Sequence, residues 1–367
     1  MRRWRWDGGL SLEKTQTINV PPHARHAEFD YLKITALFLL IFVHSDLIIQ
    51  FPSFIYPVEW FLLSIFFFIG GFLAYDSFHK RKESLRSFLK SKTRSLYIPF
   101  LIATVFYFFT EVYLGMKINP IALLSQVSMM NIFDALNTIY NWSSLWFIPY
   151  LLAFMLIFCL LEKYVKNIRI QLFLVTVLWL STILLWVYDT PMRLGQLFSE
   201  FLLVFMVGFW VNKLKIYSKI MDFKMAYIAV PSVALFAFNF QGLFNYNNLV
   251  NTFNAYVYSD SRIIILSIAL VLLALLLVRK AKLPQNSFIT LIASNSAFIY
   301  LAEPFISYAI LRLLLGQTVI YVADGTIFYV YQIIRIVILL VLLPLGLMAG
   351  TRLYKKRVSA QLTALPR

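Results

Sequence analysis

Apolar stretches close to the length of a bilayer crossing recur along the whole chain, and this constrains its fold more than any motif. A hydrocarbon core about 30 Å thick needs roughly 20 apolar residues at about 1.5 Å of helical rise each. Ten such stretches are expected, near 34–51, 59–77, 96–115, 143–161, 170–187, 197–212, 225–240, 262–278, 288–314 and 327–350, those from 197 and 225 being the shortest. Composition agrees, since 60% hydrophobic and 17% aromatic residues against 14% charged exceed what a soluble chain of 367 residues carries. The expected fold class is all-α, a polytopic membrane helix bundle of about ten transmembrane helices.

Orientation follows from basic residues, which are retained on the cytoplasmic side. With the N-terminus inside, the cytoplasmic segments 1–32, 78–95, 162–169, 213–224, 279–282 and 351–367 hold 27 of the 33 Lys and Arg, and the opposite loops hold two, Lys117 and Arg193. An N-in, C-in, multi-pass protein of the cell membrane is expected. Residues 1–32 form a basic cytoplasmic tail, 33–350 the membrane domain and 351–367 a second basic tail. The net charge of +16 is then explained by topology and anionic inner-leaflet lipid, and no nucleic-acid partner is required. The segment Met1-Arg-Arg-Trp-Arg-Trp6 and the polar residues after it lack the apolar core and small-residue cleavage site of a signal peptide, so the tail is expected to lie along the inner membrane surface.

The single cysteine, Cys159, rules out an internal disulfide or a cysteine-based metal site and reads as a buried small hydrophobe. There is no GxxxxGKS/T loop, HExxH or GxSxG, so ATP-driven transport, zinc hydrolysis and the serine-hydrolase elbow have no motif behind them, and no metal is expected. Asn141-Trp-Ser143 matches a glycosylation sequon but abuts a span.

His44 lies well inside the first apolar stretch. An ionisable group at membrane depth is costly and normally faces the bundle interior or a water-filled cavity, which makes it a candidate functional residue. Lys33 precedes it by eleven residues, placing both side chains on one helical face about 16 Å apart along the axis, a cation at the inner mouth below an imidazole. Asp30 is spaced to pair with Lys33, so Lys33 also reads as a salt-bridged or snorkelling helix end. Asp46 is about 200° round a regular helix from His44 and can orient the ring only where the helix unwinds.

Here the residues resemble a family. Asp30-Tyr-Leu-Lys33 with His44 eleven positions on is similar to the first-helix signature of the acyltransferase 3 family of integral-membrane acyltransferases, in which Arg, or Lys in some branches, precedes an essential His by that spacing. Phe67-Phe68-Ile69-Gly70-Gly71-Phe72 resembles the family's second-span Phe-x-x-Ser-Gly-Phe/Tyr, and Phe88-Leu-Lys-Ser-Lys92-Thr-Arg94-Ser-Leu-Tyr-Ile-Pro99 its basic loop into span three. Leu145-Trp146-Phe147-Ile148-Pro149, Phe205-Met-Val-Gly208 and Ser296-Ala-Phe-Ile-Tyr300-Leu follow in the family's order, and the resemblance covers residues 28 to about 350. This chain differs from the common pattern in carrying Lys33 for Arg, Gly70 for Ser, Arg94 one position from the usual second basic residue, and Glu303 where many members carry His.

The resemblance implies transfer of an acyl group, most often acetyl, from cytoplasmic acyl-CoA to a hydroxyl of a glycan, glycolipid or related extracytoplasmic acceptor. The residues are chemically compatible with it. Coenzyme A is strongly anionic, and Lys33, Lys92 and Arg94 at an inner mouth would bind its phosphates; for Lys92 and Arg94 the ordinary positive-inside bias is the competing explanation. Attack of a hydroxyl on a thioester needs a base with a pKa near working pH, which histidine meets unperturbed, and His44 is the expected base; an acyl-histidine intermediate is the other route.

Glu303 and Arg335 on the last two spans are placed to pair, as a strut or to orient the acceptor, with Tyr300 sharing the face of Glu303 and Tyr331 that of Arg335. Trp146 is a packing residue or an acceptor platform. The Asn- and Tyr-rich loop 241–261 either stacks on a sugar or is a polar loop held by interfacial tyrosines. The competing function is a non-enzymatic transporter or glycan exporter using His44, Glu303 and Arg335 as its pathway, although no repeated half and no matched pair of broken spans is visible.

Overall fold

The computed structural model describes residues 26–43, 52–81, 84–113, 123–124, 127–129, 145, 147–187, 196–224, 227–232, 253–284, 286–314, 325–350 and 353. Among these every regular element is helical: α1 (Ala27–Val43), α2 (Pro52–His79), α3 (Leu85–Lys92), α4 (Ile98–Tyr113), α5 (Phe147–Tyr164), α6 (Ile168–Val187), α7 (Gln196–Lys213), α8 (Tyr217–Met221), α9 (Phe253–Lys280), α10 (Ser287–Ser294), α11 (Ser296–Ala309) and α12 (Thr326–Val337). Short π-helical turns, Thr93–Tyr97, Ile310–Leu314 and Ile338–Leu342, link α3 to α4 and extend α11 and α12.

Of the ten expected spans, three are carried by single described helices long and apolar enough to cross a bilayer: Phe61–His79, Phe147–Tyr164 and Thr326–Gly350. The expected single span 288–314 is a broken pair instead, Ser287–Ser294 and Ser296–Arg312, bent by 70°. The break has a local cause. Asn295 leaves helical geometry (φ −102°, ψ 11°), its N–H bonds back to Leu291 and Ile292, and its side-chain amide donates to the Leu291 carbonyl at 2.8 Å. An asparagine that caps the backbone from its own side chain ends a helix rather than continuing it. The remaining expected stretches are helical over shorter described ranges or fall partly outside the described residues.

The most extensive packing in the bundle is α2 against α7, and glycine makes it possible. A Cβ on Gly71 would stand 2.1 Å from the Phe205 carbonyl oxygen, and one on Gly208 would stand 2.0 Å from the Phe68 carbonyl oxygen. The two backbones therefore touch, as small residues permit between membrane helices. Asn212 reinforces the crossing by donating to the Phe72 carbonyl at 2.8 Å. Phenylalanines fill the space around it: Phe67 stacks on Phe201 at 4.7 Å, and α5 joins through Phe154 on Phe205 and Phe158 on Phe209.

Helix ends rich in Lys and Arg gather at one end of the bundle. There Lys213 donates to Glu162 at 2.6 Å and to Gln171 at 3.2 Å, Gln171 donates to Glu162 at 3.1 Å, Trp210 donates to Gln171 at 3.1 Å, and His79 lies 3.6 Å from Glu162. This network ties α2, α5, α6 and α7, and Tyr31 at the same end of α1 donates to the Pro284 carbonyl at 2.6 Å. Large apolar side chains such as Ile102, Phe106, Phe173 and Ile333 are exposed, as on a lipid-facing surface. Gly71→Ala is expected to destabilise the solubilised protein by about 3 kcal/mol, because backbone must move to admit the methyl group. Gly346→Ala, which meets no atom within 4 Å, should leave the thermal midpoint unchanged or slightly raised.

Candidate functional site

A cavity of about 190 Å³ opens toward the basic end of the bundle, walled by α2, the α3–α4 junction, α5 and the start of α11, with Lys33 of α1 beside it. Its α2 wall runs from Leu73 through Gly70 and Ile69 to Phe66, and its α5 wall from Met155 through Leu151 to Ile148 and Phe147. Both walls are one face of a helix at three- and four-residue spacing, so each spans about 10 Å of depth. Phe147 lies across the deep end, its ring 5.7 Å from Phe66 and 5.4 Å from Tyr300, giving the cavity an aromatic floor. The break at Asn295 is what brings Ser296, Ala297 and Tyr300 to the wall.

The lining is mainly apolar, with Ser95, Ser296 and Tyr300 as polar members and two lysines as its charged ones. Lys33 reaches it from α1, and Lys92 from the last turn of α3, whose helix is capped by Ser84. Burial, assisted by the nearby positive charges of Arg81 and Lys33, lowers the Lys92 ammonium to about 8. Its Nζ lies over the Phe88 ring, 5.3 Å from the ring centre. Arg81 is held by hydrogen bonds to Ser77 and to Ser91, the residue before Lys92, which fixes the end of α3. The cavity mouth is thus electropositive and its interior oily, an arrangement suited to a molecule with an anionic head and an apolar, uncharged end. Arg94, two residues beyond Lys92, is exposed and is not part of the lining.

One helical turn beyond Tyr300, Glu303 forms a buried ion pair with Arg335 of α12. Arg335 also donates to Ser307 at 2.8 Å and to Gln332 at 3.1 Å, Ser307 donates to Glu303 at 2.6 Å, and the guanidinium lies 5.0 Å from the Tyr331 ring centre. Arg335 is fully buried and Glu303 almost so, and α1 packs against both helices that carry them. The Glu303–Arg335 pairing read from the two helical faces is present; Ser307 and Gln332, which complete it, are additions whose spacing from Glu303 and Arg335 already places them on the same faces.

His44, Asp46 and Trp146 lie outside the described residues; α1 is described to the buried Val43, and Trp146 is flanked by the buried Leu145 and Phe147. The structure therefore brings together Lys33, Lys92 and Tyr300 at one cavity, and Glu303 with Arg335 beside it. Leu151 is a cavity residue that sequence reasoning did not single out, while Gly70 and Ser296 entered it only as positions of family motifs.

The acyltransferase domain family model matches residues 26–359, nearly the whole chain. The chain belongs to the acyltransferase 3 family. No curated protein and no solved structure matches it. The family segments of this acyltransferase now have places: Phe67–Phe72 meets Phe205–Gly208 at the glycine crossing, while the segment from Phe88 supplies Lys92 and that from Ser296 supplies Tyr300.

Lys92 is expected to react with an amine-acylating reagent with half-maximal rate near pH 8, read by mass spectrometry, because it is charged below that pH and a neutral nucleophile above it. Anion binding favours the charged form and should move this midpoint upward. Arg335→Leu is expected to cost about 3–5 kcal/mol by leaving Glu303 buried and unpaired. In thermal unfolding, Glu303→Leu/Arg335→Leu should be more stable than Arg335→Leu alone.

Proposed function

We propose that this acyltransferase moves a short acyl group, acetyl foremost, from cytoplasmic acyl-CoA to a hydroxyl of a glycan, glycolipid or other extracytoplasmic acceptor. The observation that carries this reading is the convergence of Lys33 and Lys92, from separate helices, on one apolar cavity open at the basic end. In this reading the coenzyme phosphates stay at the mouth with the lysines and the thioester enters the cavity. A volume of about 190 Å³ is below the roughly 300–1,000 Å³ that encloses a whole drug-sized ligand, so only the thioester end is taken in.

The chemistry assigned to His44 is general base catalysis. The acceptor hydroxyl gives its proton to His44 as its oxygen bonds to the thioester carbonyl carbon. The C–S bond breaks, and the departing thiolate takes that proton to leave as free coenzyme A. Glu303 and Arg335 orient the acceptor, and Trp146 is its platform. Lys33 positions the donor.

The feature that supports an enzyme over a transporter is family membership across residues 26–359. The test is release of coenzyme A thiol by the purified full chain, given acetyl-CoA and a cell-envelope glycan extract. His44→Ala should lower kcat by about 100-fold or more, the range for loss of a positioned base. Lys92→Ala should raise the KM for acetyl-CoA while kcat changes little, and the KM of wild type should rise as pH passes upward through about 8. Absence of acetyl-CoA binding and turnover in folded protein overturns the donor assignment and directs attention to transport.

A further inference from the structure

Gly70 stands inside a helix, where glycine is the least favoured residue short of proline. Neither of the usual reasons accounts for it. Its backbone has no positive φ, and unlike Gly71 it makes no backbone crossing. A Cβ at position 70 would instead meet the end of one side chain, Leu151 Cδ1, at 2.7 Å, with the Phe205 ring at an ordinary 3.7 Å. The missing side chain is therefore a recess on α2, and Leu151 of α5 lies in it.

Both residues line the cavity, and both stand midway between mouth and floor. Gly70 is three residues beyond Leu73 toward Phe66, and Leu151 is four residues beyond Met155 toward Phe147, so both lie about 5 Å in from the mouth. Leu151 is buried, and α2 cannot retreat from it, because the next residue, Gly71, is pressed against the α7 backbone. A methyl group added at position 70 can be accommodated only by moving Leu151, and the empty direction is the cavity. Shortening Leu151 has the opposite effect and widens the cavity at the same level.

We propose that Gly70 and Leu151 are the specificity-determining pair of the donor cavity, a gauge that admits short, unbranched acyl thioesters and excludes longer ones. The proposal rests on the donor reading given above and adds the residues that select the donor. With the phosphates held at the lysines, the acyl group is the part of the donor that travels deepest, and the Gly70–Leu151 level is the part of the wall whose width one methyl group changes. Farther from the lysines the lining is aromatic, with Phe66, Phe147 and Tyr300.

The experiment measures kcat/KM for acetyl-, propionyl-, butyryl- and octanoyl-CoA by thiol release from the full-length chain, with folding checked by size-exclusion chromatography. Wild type should prefer acetyl. Leu151→Ala should raise the butyryl-to-acetyl ratio by about tenfold or more, the worth of one or two methylenes in an apolar pocket. Gly70→Ala and Leu151→Phe should lower acetyl turnover and depress longer donors further, and Gly70→Ala/Leu151→Ala should recover acetyl turnover relative to Gly70→Ala. That recovery and the change in ratio separate a gauge from general damage, which lowers all donors alike. If Gly70→Ala does not fold, the ratios of Leu151→Ala and Leu151→Phe decide. Unchanged ratios in active variants overturn the gauge and leave the donor reading standing; wild type that consumes no acyl-CoA of any length overturns both.

Discussion

The contact between the backbones of α2 and α7 fixes most of what surrounds the cavity. With glycine at 71 and 208, each helix meets the other's carbonyl oxygens, and the crossing has no flexible side chain that can be repacked into a different rotation. The face of α2 that carries Phe68 and Gly71 is thereby committed to α7. The neighbouring face, carrying Phe66, Ile69, Gly70 and Leu73, is then obliged to look toward α5 and α11, where the cavity is. A small rotation of α2 would bury this face and close the space. The phenylalanines around the crossing, Phe67 on Phe201 and Phe154 on Phe205, lock α5 into the same arrangement.

Charge is distributed in two distinct ways. Glu162 with Lys213 and Gln171, and Glu303 with Arg335, Ser307 and Gln332, are closed sets in which each carboxylate meets its cation through hydrogen bonds. Such buried pairs add little net stability over apolar packing, but breaking one is costly, so they specify which helices meet. Lys33 and Lys92 are arranged differently, since both reach one cavity and Lys92 is pressed toward its neutral form by burial and by cations.

The sequence made some of this visible and not the rest, for physical reasons. Recurrent apolar stretches and the bias of Lys and Arg report on transfer between water and lipid, a property of single segments, and the helical class and basic end followed from them. The Glu303–Arg335 pair was visible because a buried carboxylate and a buried guanidinium on adjacent spans have few other ways to be neutralised. The order of family motifs was visible too, but not that two of them meet at the glycine crossing, because that depends on partner helices. Lys92 and Arg94 illustrate the same point. They are two residues apart and face nearly opposite directions on a helix, so one cavity can take only one of them. The break at Asn295 was hidden by an apolar run that reads as continuous, its marker being a single asparagine.

That break bears on how donor and acceptor are brought together. Broken membrane helices expose backbone and redirect side chains only where a cavity or protein receives them. Here the bend turns the first two turns of α11 so that Ser296 and Tyr300 face the cavity, while Glu303, one turn further, faces α12. Tyr300 and Glu303 are separated by about 4.5 Å of helical rise. On the proposed reading, the floor through Phe147 and Tyr300 is then the thin partition across which a donor from the basic end and an acceptor beside Glu303 and Arg335 must meet. Lys33 stands beside the same cavity on α1, whose described turns run from Ala27 to Val43 and pack against both α11 and α12, the helices that carry Glu303 and Arg335.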